Sequence, residues 1–110
     1  MALTRDFKET VKARAGRDPA FREALLTEAV EQLIAGEVDV GKAVLRDYIN
    51  ATIGFAKLAK ATGTPPKSLM RMLGPKGNPR ASNLLAMIGK LQRVSGLRLA
   101  VAAGRKRRAA

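Results

Sequence analysis

The chain is predicted to be all-α, closed by one short strand, and three observations carry that reading. Apolar residues recur at i+3 and i+4 along most of its 110 residues. Helix start and stop signals such as Asp18-Pro19, Gly36, Gly63 and Gly96 punctuate it at helix-sized intervals. Strand-like alternation occurs only where Leu97, Leu99 and Val101 alternate with Arg98 and Ala100.

The elements follow in order. Asp6–Ala15 reads as a short charged helix, with Thr4 able to cap it and Gly16 able to end it. Asp18-Pro19 opens a second helix, with Asp as cap and Pro at the first helical position. Its stripe is Phe21, Leu25, Ala29 and Leu33, widened by Leu26, Val30 and Ile34, and it ends at Gly36. Asp39 can cap a third helix, buried along Val40, Val44 and Tyr48 with Leu45 and Ile49 alongside, ending near Thr52–Gly54. Phe55–Ala61 makes a fourth, closed by Gly63. Thr64-Pro65-Pro66 opens a fifth, running to Leu73, because the first turn of a helix has free N–H groups and tolerates proline. Its cap is Thr64, or Pro65 if the helix starts one residue later. Residues 74–79, GPKGNP, form a loop. Ser82 can cap a sixth helix bearing Leu84, Leu85, Ile88 and Leu91. The tail, GRKRRAA, is expected to be disordered. Phe21, Leu25, Val44, Tyr48, Leu58, Leu69 and Leu85 are expected in the core.

Charge is the strongest functional signal. The net charge is +12 and the pI about 11.2. Residues 1–40 carry six basic and eight acidic side chains, whereas residues 41–110 carry fifteen basic ones and a single acid, Asp47. So long a basic stretch with one acid points to a polyanion, most simply nucleic acid. Cysteine and histidine are both absent, which removes disulfides, thiolate metal sites and the commonest general base. The expectation is a non-enzymatic protein with no cofactor and no metal. No apolar run approaches the roughly 20 residues of a membrane helix, and MALTRDFKET lacks a signal-peptide core. A cytoplasmic, nucleoid-associated location is expected. Few aromatic residues (three Phe, one Tyr) argue against base stacking on single strands.

The segment 58–73 has the spacing of a helix-turn-helix. Leu58-Ala59 supplies a large and a small residue for the helix crossing, Gly63 suits a turn needing positive φ, and Leu69, Met72 and Leu73 anchor the second helix. The opposite side then carries Pro66, Lys67, Met70 and Arg71, the positions able to enter a major groove. This arrangement resembles the lambda-repressor-like five-helix family. The resemblance implies a first core helix at Ala43–Thr52, motif helices at Phe55–Ala61 and Pro65–Leu73, and a covering helix at Ser82–Val94. Thr62, Phe55 and the double proline depart from that family's pattern.

A closer resemblance covers nearly the whole chain. The runs LRDYINATIGF and KSLMRMLGPKGNP, within VDVGKAVLRDYINATIGFAKLAKATGTPPKSLMRMLGPKGNPRASNLLAMIGKLQ, look like the bacterial addiction-module antidote proteins, the HigA-like antitoxins. The resemblance implies an antitoxin that neutralises a small, RelE-like toxin and represses their shared operon by binding operator DNA. The alternatives are a stand-alone helix-turn-helix transcriptional regulator and a nonspecific nucleic-acid-binding protein.

The candidate DNA-binding residues are Pro66, Lys67, Ser68, Met70, Arg71, Lys76, Asn78 and Arg80. Lys67 and Arg71 lie one turn apart. They either read base edges, Arg71 suiting guanine, or touch phosphate alone. Ser68 can donate to DNA or pack, and Met70 can meet a thymine methyl or pack. Lys76, Asn78 and Arg80 suit a loop along the backbone, as the resemblance implies. Arg105, Lys106, Arg107 and Arg108 either add nonspecific attraction or only solubilise. Three segments are expected: an N-terminal helical extension, 1–38, packed on the core; a DNA-binding domain with its terminal strand, 39–102; and the basic tail, 103–110. The extension can pack on the core, form a dimer face or bind toxin. The lone strand 97–101 is expected to pair with that of a second copy, giving a homodimer matched to a palindromic operator.

Overall fold

The computed structural model describes residues 5–104, and side chains from residue 6. Six helices follow one another: α1 (Arg5–Arg17), α2 (Pro19–Ile34), α3 (Val38–Ala51), α4 (Phe55–Thr62), α5 (Pro66–Met72) and α6 (Ala81–Ser95). No strand occurs among the described residues. Thr4 and the cluster Arg105–Arg108 lie outside them.

Local signals set several boundaries. Asp18 caps α2, its carboxylate accepting from Phe21 N–H at 3.1 Å, with Pro19 at the first helical position as its fixed φ favours. Helix α1 runs through Gly16 instead of ending there, because the ladder continues to an Asp18 N–H bond onto Arg14 O at 2.9 Å. The corner between α1 and α2 is held by Arg14, whose guanidinium sits 4.5 Å from the Phe21 ring centre. Arg22 reaches back to the Ala15 carbonyl.

Helix α3 differs from the sequence expectation in cap and in rotation. Glu37 occupies the cap position and Asp39 lies in the first turn. Val40 is exposed (47%), while Lys42, Leu45, Tyr48 and Ile49 are buried. The reason is the crossing with α2. A Cβ on Gly41 would lie 2.6 Å from Leu33 Cγ and Cδ2, so the two helices meet where α3 has no side chain. That contact turns the next positions, and Lys42 with them, inward.

One hydrophobic cluster gathers Leu26 and Ala29 of α2, Leu45, Tyr48 and Ile49 of α3, Phe55, Leu58 and Ala59 of α4, Leu69 and Leu73, and Met87, Ile88 and Leu91 of α6. Phe21, Leu25 and Val44 are only half-buried. Leu85, expected in the core, is 64% exposed, and Met87 fills that role. Helix α6 begins at Ala81 with Arg80 at its cap and Ser82 inside its first turn. The shift follows from Arg80, whose carbonyl already accepts from Leu84 N–H. Tyr48 is fully buried, and its hydroxyl meets Ser95 Oγ at 2.6 Å, tying α3 to the end of α6.

The predicted strand is instead a segment laid back on α6. After the left-handed cap at Gly96 (φ 69), Leu97 N–H donates to Gln92 O at 3.0 Å. Leu99 N–H donates to Gln92 Oε1 at 2.8 Å. Leu97 and Leu99 pack against the core while Arg98, Ala100 and Val101 face solvent. The alternation that reads as a strand serves to cover a helix. No described helix is long and apolar enough to cross a membrane.

Candidate nucleic-acid interface

The double proline dictates where α5 starts. A residue preceding proline is pushed out of helical geometry, so Pro66 forces Pro65 into an extended conformation (φ −58, ψ 144). Pro65 constrains Thr64 in the same way. The helix therefore begins at Pro66, with Pro65 in the cap position and no side-chain cap. The Pro65 carbonyl starts the ladder, accepting from Ser68 and Leu69 N–H at 3.0 and 3.2 Å. Of the two caps open to the sequence, Pro65 is the one used.

The turn before it is made by Gly63, the left-handed C-cap of α4 (φ 72), whose N–H donates to Ala59 O at 2.8 Å. A side-chain-bearing residue would be strained there. Thr62 ends α4 half-buried and returns its hydroxyl to Leu58 O at 2.9 Å. Leu58 and Ala59 of α4 share the core with Leu69 and Leu73.

Anchoring α5 on Leu69 turns its other side outward. Pro66, Lys67, Met70 and Arg71 are all exposed, and Ser68 is half-buried. Lys67 and Arg71 stand one turn apart on this outer side. The loop that follows exposes Lys76 and Asn78, and Arg80 is exposed at the start of α6. The structure thus places the eight candidate residues on α5 and the stretch leading into α6. Asp47, the only acid after residue 40, is elsewhere. It lines a cleft between α1 and α3 with Lys8, Lys12 and Asn50. Burial raises its carboxyl above the ordinary 3.8, with Lys8 and Arg46 pulling the other way.

Two basic residues escaped the sequence reading. Lys42 of α3 is 3% exposed. Its ammonium donates to Gly74 O at 3.1 Å and Gly77 O at 2.6 Å. It also lies 3.4 Å from the exposed Asp39 carboxylate. One turn on, Arg46 Nη1 donates to Leu73 O at 3.1 Å. Both cations meet the carbonyl end of α5, where the helix dipole favours positive charge. The available signal was spacing: Lys42 falls in line with Leu45 and Ile49 on the buried stripe of α3, where a lysine requires a partner. Gly77 completes the arrangement. A Cβ there would sit 2.1 Å from Arg71 O and 2.5 Å from Met72 O, so the loop folds directly onto the end of α5.

No group of three or more carboxylate, histidine or cysteine side chains is placed to hold a metal ion among the described residues. Compared with family models, with curated proteins and with solved structures, the chain gives no match.

Proposed function

We propose that the chain is a sequence-specific DNA-binding antitoxin, a cytoplasmic autorepressor that docks α5 into the major groove of its own operator and neutralises a small partner toxin. The DNA-binding part is supported by one observation above all. The outer side of α5 presents Lys67, Met70 and Arg71 free of described hydrogen bonds and ion pairs, on a chain whose last 63 residues contain no acidic side chain. The α4–turn–α5 unit, with α3 and α6 packed behind it, is compatible with a lambda-repressor-like domain. The toxin partner rests on the antidote-protein resemblance of the residues.

The test is fluorescence-anisotropy binding to the DNA upstream of the gene, against a scrambled duplex, at two salt concentrations. A preference of about 10³-fold that persists in added salt is expected. Arg71→Ala is expected to lower the preference by about 1–3 kcal/mol while leaving nonspecific binding in place. Equal, steeply salt-dependent binding to both duplexes would reduce the protein to a nonspecific polyanion binder. Rescue of growth when the neighbouring small gene is co-expressed tests the antitoxin part.

The repressor is proposed to act as a two-fold dimer joined through residues 97–101. Leu97 and Leu99 direct their N–H groups to Gln92. In an extended chain the alternate groups, of Arg98 and Ala100, then face away from α6, beside the exposed Val101. That edge can pair with its own copy. Ala100→Pro, which removes one outward N–H, is expected to shift sedimentation from dimer to monomer while leaving helix content unchanged. A protein that sediments as a monomer before any substitution would remove this pairing.

A further inference from the structure

We infer that Lys42 is a positioning residue for phosphate contact: its buried ammonium fixes the loop after α5 so that Lys76 is held against the DNA backbone. The inference rests on the DNA-binding reading above and extends it to a residue that cannot itself reach DNA.

Lys42 is 3% exposed, and its Nζ is committed to two carbonyls, of Gly74 at 3.1 Å and Gly77 at 2.6 Å. Lys76 lies between those two residues and is exposed. The clamp therefore grips the backbone on both sides of the one basic side chain in the Gly74–Gly77 turn. A second bond crosses the turn itself, Gly77 N–H to Gly74 O at 3.0 Å. Arg46, bound to Leu73 O at 3.1 Å, holds the preceding residue. Four hydrogen bonds along residues 73–77 leave the turn little freedom, although it belongs to no helix or strand.

The physical need is clear. Residues 74–79 contain two glycines and two prolines. Gly77, directly after Lys76, leaves the backbone there free if unrestrained, and each ordered contact would then be opposed by the entropy of fixing it. A buried ammonium at the carbonyl-rich end of α5 meets that cost during folding, before DNA arrives, which is preorganisation. Asp39, 3.4 Å away and exposed, balances the charge from the solvent side.

The test compares the wild type, Lys42→Met, Lys76→Ala and the double variant. Three quantities are read: affinity for a duplex against salt, the exchange rate of the Gly77 amide, and global stability. Each phosphate neutralised contributes about −0.9 to the slope of log K against log salt. Lys42→Met is expected to flatten the slope by about 0.9, as Lys76→Ala does, and the double variant is expected to flatten it no further. The Gly77 amide is expected to exchange at least about tenfold faster in Lys42→Met while the core amides of Leu45 and Ile49 keep their protection. If Lys42→Met fails to fold, Lys42→Gln, which keeps a donor, serves in its place with the same expectations at reduced size. A lower stability with unchanged slope, or additive slopes in the double variant, would overturn the inference and make Lys42 purely a packing residue. A wild type with no salt-dependent DNA binding would overturn the DNA-binding reading and the phosphate role together, whereas the amide exchange reports the clamp independently of either.

Discussion

Gly77→Ala is expected to be the most damaging glycine-to-alanine change among the described residues, costing about 3 kcal/mol and lowering Tm on the order of 10–20 °C. The added carbon would stand 2.1 Å from Arg71 O, 2.5 Å from Met72 O and 2.8 Å from Met72 C. All three are backbone atoms of the last turn of α5, so no rotamer change relieves the contact. Either the loop lifts away or α5 loses its last turn. Lifting the loop breaks the Gly77 N–H bond to Gly74 O and draws Gly77 O away from Lys42 Nζ. Lys42 is then left buried with fewer partners, which is costly for a cation. Gly74 provides the control. A Cβ there would lie 3.4 and 3.5 Å from Met70 O and Arg71 O, ordinary contact distances. Gly74→Ala should therefore fall within about 0.5 kcal/mol of the wild type. Thermal unfolding of the two variants side by side checks the claim. Equal losses at both glycines would mean that the loop does not fold onto the helix end.

The same loop shows which features were legible in the sequence and which were not. Local rules worked where one or two residues fix the backbone. Asp18-Pro19 gave the start of α2, Gly63 gave the left-handed turn after α4, and the two prolines gave the start of α5 to within a residue. The exposed candidates on α5 were also legible, because burying Leu69 and Leu73 on a short helix determines what faces outward. Rotational register was harder. On α3 an apolar pattern that includes Val40 is as periodic as one that includes Lys42, and only the approach of Leu33 to Gly41 decides between them. On α6, Leu85 and Met87 compete in the same way, and Met87 is the buried one. The segment 97–101 alternates because it covers a helix, a task with the same period as a strand. Lys42 was missed for a different reason: spacing could place it on the buried stripe, but nothing local named its partners. A lysine is read as a solvated side chain, and its partners, the carbonyls of Gly74 and Gly77, are backbone groups more than thirty residues away that leave no mark on composition.

Leu69→Ala should separate the anchor of α5 from its working face. Leu69 is 2% exposed, and truncating a buried leucine typically costs about 2–5 kcal/mol through lost transfer energy and the cavity left behind. Here the cost has a local target. Helix α5 has seven residues, far below the roughly 12–15 at which an isolated helix becomes even marginal. It has no side-chain cap. Its position depends on Leu69 and Leu73 packing into the cluster, together with the cations Lys42 and Arg46 at its carbonyl end. Removing the one core anchor inside the helix itself should cost about 3 kcal/mol, a large share of the roughly 5–15 kcal/mol that a domain of this kind holds. The operator preference should fall with it, since Lys67 and Arg71 keep their charge but lose their common orientation. Met70, the next residue, is 47% exposed and points the other way. Met70→Ala should leave stability within about 0.5 kcal/mol and lower operator affinity only if its thioether meets a base. Chemical denaturation and anisotropy on both variants place them on opposite axes, one losing stability and preference together, the other at most affinity. Should Met70→Ala destabilise as much as Leu69→Ala, the outer side of α5 would be packing surface, and Lys67 and Arg71 could not share a groove.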